Sequence, residues 1–336
     1  MIIAVPKETE DLEKRVMVLP GSVRELVENG HEVRVQVGAG LEIRVSDSEY
    51  QQNGAKLNAE PKDLYAGAGM VVKLKAPAPS EFSLMENLIL FCMLHSEQNP
   101  ERIYHLGNRK LVAVEMENVR DSKNQRIINQ TGITGEVGVY YALRHFDKLP
   151  RDSNALVLGY GNVSTGAIET LSRIGMRIKI LRKSEFKYIA QYLKEADLLV
   201  NGISWPKPNR DAMRYLVTRD MIRNSNPGLV ILDLAVDYPG PIETMHSTTY
   251  ANPFYIEEGR VHIAIYGYPG LVPVSSSIIY DKQVQPITLL IANNGGLSRI
   301  KSRGELGKAV YGAILDPNAH DWQSLKPKVQ TGSPIE

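Results

Sequence analysis

The residues best suited to chemistry lie at Ala155–Gly166, which reads ALVLGYGNVSTG. An apolar run ends at Leu158, Gly159 and Gly161 follow, and a helical pattern begins at Asn162, Val163 and Ser164. The first glycine allows a tight turn, and the second lets backbone approach a pyrophosphate. The helix N-terminus then offers free N–H groups and a partial positive charge to the phosphates. Ser164 stands where a third glycine is usual, with Gly166 two residues on. About 20 residues after the first glycine, an NAD site carries an acid for the ribose 2′-hydroxyl. Here Arg182, Lys183 and Ser184 occupy that place, and Glu185 comes three residues late. Two cations and a hydroxyl suit a 2′-phosphate, so the expected cofactor is NADPH. Two other GxG segments, Gly38–Gly40 and Gly67–Gly69, lack a following helix and second strand and read as turns.

A second set of candidates lies mostly in the amino-terminal half. Glu13, Lys14 and Arg15 form a charged loop. Lys73 and Lys75 straddle Leu74 at the end of an apolar run and read singly as a solvated sheet edge; buried, they would need an acid or a ligand. His95 ends LILFCMLH and, alone, reads as a cap or core histidine. Cys92 reads as a small buried residue. Asp233 and Asp237, in LVILDLAVD, sit at and just beyond the carboxyl end of a strand, where parallel sheets place ligands. The loop IYGYPGLVP, containing Gly267 and Tyr268, could border a nicotinamide ring or merely turn the chain.

The elements that must position these residues are short apolar runs alternating with helical patterns. Strands are expected at residues 2–5, 33–37, 70–74, 88–94, 111–114, 155–158, 178–181, 198–200, 229–232 and 261–265, most of them uninterrupted Val, Ile and Leu of the kind buried on both faces of a parallel sheet. Helices are expected at 22–28, 135–145, 164–174 and around 300–315, with a loose polar tail from Leu325. The fold class is therefore α/β. The 336 residues carry 39 basic and 38 acidic side chains, a net charge of +1, which gives no pull toward nucleic acid or an anionic membrane. The seven histidines are scattered without metal-binding spacing, and one cysteine excludes an internal disulfide. The N-terminal stretch lacks the pattern of a signal peptide and no window is apolar enough to span a membrane, so a cytoplasmic location is the default expectation.

Taken in order, P-x-E-x-x-x-x-E-x-R-V-x-x-x-P from Pro6, G-H-E-V, V-G-A-G, K-x-K, the L-H strand end, GxG and D-x-A-x-D resemble the family of alanine dehydrogenase and the nucleotide-binding part of proton-translocating transhydrogenase, over roughly residues 1–315. The resemblance implies two Rossmann-like domains. A catalytic domain made of both chain ends (1–134 and 284–336) would enclose an inserted dinucleotide domain (135–283). It implies that Arg15 and Lys75 hold the substrate carboxylate and oxygen, that His95 is the general acid/base, and that Asp237 lies beside substrate and nicotinamide. Association into a homo-oligomer through the dinucleotide domains is also implied. The sequence departs from alanine dehydrogenase in the Arg182 corner, in a short segment from Lys183 to Ala196, and in Gly267 followed by Tyr268 where an Asn is expected. These departures resemble N5-(carboxyethyl)ornithine synthase, which shares G-x-G-N-V, the R-K pair and N-G-I (here Asn201, Gly202 and Ile203), and which uses NADPH to join pyruvate to an amino acid's side-chain amine. The residue types suit that chemistry. An arginine can fork a carboxylate, a lysine can polarise a carbonyl, and a histidine can move protons as a carbinolamine becomes an imine. The alternatives are an alanine dehydrogenase, which differs only in using ammonia, and a non-catalytic NADP(H)-binding module.

Overall fold

The computed structural model describes residues 1–327; the remainder of the polar tail expected to be loose lies outside the described residues. The chain divides into two compact units. The first contains Met1–Asn129 and the segment from Pro273 onward, and the second is Gln130–Val272. The observed crossings therefore fall at 129/130 and 272/273, rather than at 134/135 and 283/284. Pro286, a residue that would ordinarily mark a junction, lies inside a continuous helix, Pro273–Asn293. The polar stretch 146–154 is no junction either: it is a loop of the second unit leading into its first strand.

The first unit is built on a sheet of seven strands: β1 (Ile2–Val5), β2 (Glu32–Gln36), β3 (Lys56–Asn58), β4 (Met70–Lys75), β5 (Ile89–Met93), β6 (Val112–Glu115) and β13 (Ile314–Leu315). Their order is β13-β6-β5-β4-β1-β2-β3. All pairs are parallel except β13 with β6. Strand order reverses between β1 and β4, so a crevice opens at the carboxyl ends of these two strands, the usual ligand position in such sheets. Val, Ile and Leu fill both faces because each face is covered. Val5, Val35, Val72 and Phe91 pack under the helix Pro273–Asn293, whereas Val71, Leu90 and Ala113 face Leu64, Phe82 and Leu106. The region around 300–315 is a 3-10 turn, a helix at Gly304–Gly312 and then β13, rather than one helix.

The second unit has six strands: β7 (Asn154–Leu158), β8 (Arg177–Leu181), β9 (Leu198–Asn201), β10 (Val230–Asp233), β11 (Tyr255–Glu257) and β12 (Arg260–Ile263). Their order is β11-β12-β10-β9-β7-β8, parallel except for the β11–β12 hairpin. Here the order reverses at β7, between β8 and β9. Two helices, Thr131–Ala142 and Asn162–Arg173, pack backbone to backbone on one face. A Cβ on Gly166 would lie 2.2 Å from the carbonyl oxygen of Gly132, and one on Gly135 would lie 2.3 Å from the amide nitrogen of Ala167. Gly166 thus supplies the close packing for which a phosphate-loop motif normally uses its third glycine. Among the described residues no helix is long and apolar enough to cross a membrane.

Candidate functional site

In the first unit, Arg15, Lys75 and His95 all lie at the carboxyl-end edge of the sheet. The loop after β1 carries Glu8, Glu10, Glu13 and Arg15. Arg15 is buried and its fork is turned onto its neighbour: Nε donates to Glu13 Oε1 at 2.6 Å and Nη2 to Oε2 at 2.5 Å. Burial alone would raise the pKa of Glu13, but the bonds and charge of Arg15 overcome this and hold the carboxyl below its ordinary range. Arg15 Nη1 also reaches Ser276 Oγ, at 3.5 Å, and the guanidinium lies over the Tyr280 ring. The two lysines have separate fates. Lys73 is sealed in, its Nζ 2.7 and 2.9 Å from the Glu81 oxygens and 3.8 Å from Glu8. Lys75 Nζ instead reaches Glu10 at 2.6 Å and Glu13 at 4.0 Å. A register shift between Val72 and Lys75 inserts an extra residue against β5, which separates two side chains that a regular strand would put on one face. The reading of both lysines as a solvated edge is therefore corrected, since acids on distant segments meet each of them.

Glu8 holds this edge together. Its carboxylate accepts from the backbone N–H of Leu74 at 2.6 Å and of Lys75 at 3.3 Å. Burial raises its pKa to about 7, although Lys73 and the two N–H groups oppose the rise. His95 follows β5 in a left-handed conformation, φ 48°. Glu117 supports it from below, accepting from the backbone N–H groups of Leu94 and His95, with Nδ1 3.6 Å from Oε1. Burial lowers the His95 pKa. Glu117 opposes that effect, while Arg102, Arg126 and Lys75 add to it. At neutral pH this imidazole is an uncharged proton acceptor, still partly open to solvent.

In the second unit, Gly159 adopts φ 84° and a Cβ there would strike Ile203 at 2.4 Å, so glycine is required. Gly161 is the N-cap of helix Asn162–Arg173, no side chain caps that end, and no atom lies within 4 Å of where its Cβ would be. An uncapped helix start under open space fits a dinucleotide's pyrophosphate, with the first-turn N–H groups of Asn162, Val163 and Ser164 facing it. The Ser164 side chain has a different role: it is fully buried, and Gly202 is needed because a Cβ there would lie 2.0 Å from Ser164 Oγ. Arg182, Lys183 and Ser184 are exposed at the end of β8. Glu185 folds back onto the same turn, accepting from the Arg182 N–H at 3.0 Å and pairing with Lys179 at 3.0 Å. The side chains of Asn201 and Tyr268, two expected cofactor contacts, are engaged within the protein. Asn201 is buried and donates to Asp233 Oδ1 at 2.9 Å, while its own oxygen accepts from Ile203 N. Tyr268 is 1% exposed and its hydroxyl donates to the carbonyls of Asp233 and Ile263. Both side chains brace strand ends. Asp237 is half-buried, accepting from Trp205 N–H at 2.6 Å and lying 3.4 Å from Arg210 Nη1. Asp233 is wholly buried, and burial raises its pKa to about 6. Among the described residues no group of three or more His, Cys, Asp and Glu is placed to hold a metal.

Two family models match this chain: alanine dehydrogenase/PNT, N-terminal domain, over residues 4–130, and alanine dehydrogenase/PNT, C-terminal domain, over residues 162–313. An alanine dehydrogenase of Methanococcus maripaludis is 30% identical over 366 positions, covering 96% of this chain and 97% of that protein. The chain belongs to the alanine dehydrogenase/PNT family. A second relative in that family, the alanine dehydrogenase of Bacillus subtilis, is 28% identical over 380 positions, covering all of this chain and 99% of its own length. That alignment has more positions than the chain has residues, so the relative carries segments absent here. A solved L-alanine dehydrogenase superposes with a TM-score of 0.83 at 27% identity, covering 97% of this chain and 99% of that one. A transhydrogenase from Sinorhizobium meliloti, at 23% identity, shares the fold with a TM-score of 0.76 over 87% of this chain and 95% of that one.

The supporting acids lie far in sequence from the groups they meet. Glu8 enters the sequence only as the acid of P-x-E, and Glu81 belongs to no motif. Glu117 carries no local signal of its role, because its partner His95 lies 22 positions away. The one sequence signal for the acids was the cost of two lysines on a buried strand.

Proposed function

We propose that this chain is an NADPH-dependent oxidoreductase that reductively joins a 2-oxo acid such as pyruvate to an amino acid's side-chain amine, in the manner of carboxyethylornithine synthase. The observation that carries this reading is the exposed Arg182-Lys183-Ser184 corner at the end of β8, with Glu185 tied back to Lys179. An acid at that corner would repel a 2′-phosphate; these side chains attract it. The cofactor, when bound, supplies hydride. Gly159, Gly161 and the first turn from Asn162 would hold its pyrophosphate.

The chain's own residues account for the remaining steps. Arg15, already charge-neutralised by Glu13, orients the oxo acid's carboxylate through Nη1. Lys75 polarises the carbonyl oxygen. The amine attacks that carbon, and His95, neutral at pH 7, takes a proton from the nitrogen and passes it to the oxygen; a second proton, from solvent, lets that oxygen leave as water, so that an iminium remains for reduction. The product is a secondary amine at the former carbonyl carbon. Asp237 belongs to the second unit and is assigned to its cofactor side. A second reading, reductive amination with ammonia, is favoured by the alanine dehydrogenases among the relatives. It needs the same residues and differs only in the amine.

Titration of NADPH and NADH tests the cofactor assignment. One charge-assisted contact of about 1.5–3 kcal/mol corresponds to a roughly ten- to hundredfold preference for NADPH. Arg182→Asp should abolish or reverse that preference without unfolding the protein. Equal affinities in the unmodified protein would make Arg182 and Lys183 an ordinary solvated pair.

A further inference from the structure

Beside Lys75, within the first unit, lies a cavity of about 280 Å³ lined by Thr9, Glu10, Ala76, Phe82, Glu101 and Arg102 among others. Its position ties it to the candidate chemistry. Glu10 is the ion-pair partner of Lys75, and Ala76 is the next residue in the chain. Arg102 donates through Nη1 to the carbonyl of Leu94, the residue before His95, and its charge acts on the His95 ring. Among the described residues Arg102 Nε and Nη2 make no hydrogen bond, and Glu101 pairs with none of the cations. The wall therefore presents one guanidinium and two carboxylates, Glu10 among them with its bond to Lys75, across a small space, with the Phe82 ring, stacked on the His105 imidazole at 5.1 Å, as an aromatic side. A small aliphatic diamine acid needs this arrangement. Its α-carboxylate seeks a guanidinium, its α-ammonium a carboxylate, and its methylenes an apolar surface.

We infer that this cavity is the subsite for the α-amino-acid head of the amine substrate, with Arg102 binding the α-carboxylate and Glu101 and Glu10 the α-ammonium, while the side-chain amine points to Lys75 and His95. The assignment rests on the amino-acid-amine reading above and deepens it. Ammonia would leave the cavity without a role, whereas a zwitterion three or four methylenes from the reacting amine would fill it. The polar lining selects against uncharged or singly charged amines, because removing one partner of such a pair leaves the other charge unmatched.

The test compares L-ornithine with butane-1,4-diamine, which lacks only the α-carboxylate, in NADPH oxidation with pyruvate. The unmodified enzyme should prefer ornithine in kcat/KM by about ten- to hundredfold, the value of one charge-assisted contact. Arg102→Met should level the two amines by raising the KM for ornithine, with the KM for pyruvate changed by no more than about twofold. Because Arg102 also touches the Leu94 carbonyl, Arg102→Lys serves as the second variant. It keeps the charge and should retain part of the preference. If Arg102→Met weakens both amines equally, or leaves the ornithine preference intact, the subsite assignment is overturned while the amino-acid-amine reading stands. If the unmodified enzyme turns over ammonium but neither amine, both fall together.

Discussion

Lys73 and Lys75 are two residues apart on one strand, yet Lys73 Nζ is sealed against Glu81 at 2.7 Å with its side chain fully buried, while Lys75 Nζ reaches the exposed Glu10 at 2.6 Å and remains 17% open. The extra residue in β4 opposite β5 creates the difference. One lysine is thereby committed to the fold, and its neighbour is presented at the sheet's carboxyl edge.

This division separates two variants. Lys73→Met leaves Glu81 and Glu8 buried beside an apolar side chain, a loss of the kind that costs about 3–5 kcal/mol. It should lower the denaturation midpoint sharply. Lys75→Met should leave that midpoint near normal but cut NADPH oxidation by at least about 100-fold, the scale of a lost oxyanion-type contact. Parallel denaturant titrations and turnover assays read both effects. Equal destabilisation by the two variants would show that the lysines share one structural role.

Glu8 makes stability pH-dependent in a defined direction. Its folded pKa, about 7, lies above the ordinary value of 4.5. Below pH 4.5 the group is protonated in both states and contributes nothing. As pH rises from 4.5 to 7 the unfolded chain gains by ionising first, so stability falls by an amount on the order of a few kcal/mol and then levels off. Glu8→Gln should lack this decline. Its amide cannot accept both backbone N–H groups, which costs a pH-independent amount. The check is therefore the slope of unfolding free energy against pH, and parallel slopes for the two proteins would contradict the assignment.

His95 provides the matching kinetic test. Burial holds its pKa below 6.5, so the neutral form prevails at pH 7 and is lost only on acidification. The kcat/KM profile of the unmodified enzyme should fall on the acid side with an apparent pKa under 6.5. His95→Ala should reduce turnover by roughly 10²–10⁴ and remove that limb, with NADPH binding near normal. Near-native turnover would leave His95 as a cap on β5.

The reach of the sequence differs between these features for physical reasons. Runs such as Val71–Leu74 and Leu198–Val200 are legible as strands because both faces of each sheet are covered. The strands Lys56–Asn58, Tyr255–Glu257 and Ile314–Leu315 are two- or three-residue edge pieces whose composition carries no such pattern. Pro286 and the polar stretch 146–154 look like domain junctions because proline and charge usually mark loops. Yet a 21-residue helix absorbs the first, and the second lies inside the dinucleotide unit. The tight turn after β7 is legible in the sequence at Gly159 because the backbone there, at φ 84°, requires glycine. The acid partners of Lys73, Lys75 and His95 are not legible in the same way, because they arrive from other segments, 8 to 65 positions away. Asn201 and Tyr268 sit at strand ends where ligands usually bind, but their polar atoms are spent on Asp233 and on backbone carbonyls.

The identity of the amine is the central claim, and one measurement addresses it: the rate of NADPH oxidation with pyruvate plus ornithine or lysine, set against pyruvate plus ammonium, with the product mass determined in each case. Faster oxidation is expected with the amino acid, giving a product in which its side-chain nitrogen carries a carboxyethyl group. Fast turnover with ammonium, alanine as the product and no response to either amino acid would contradict it.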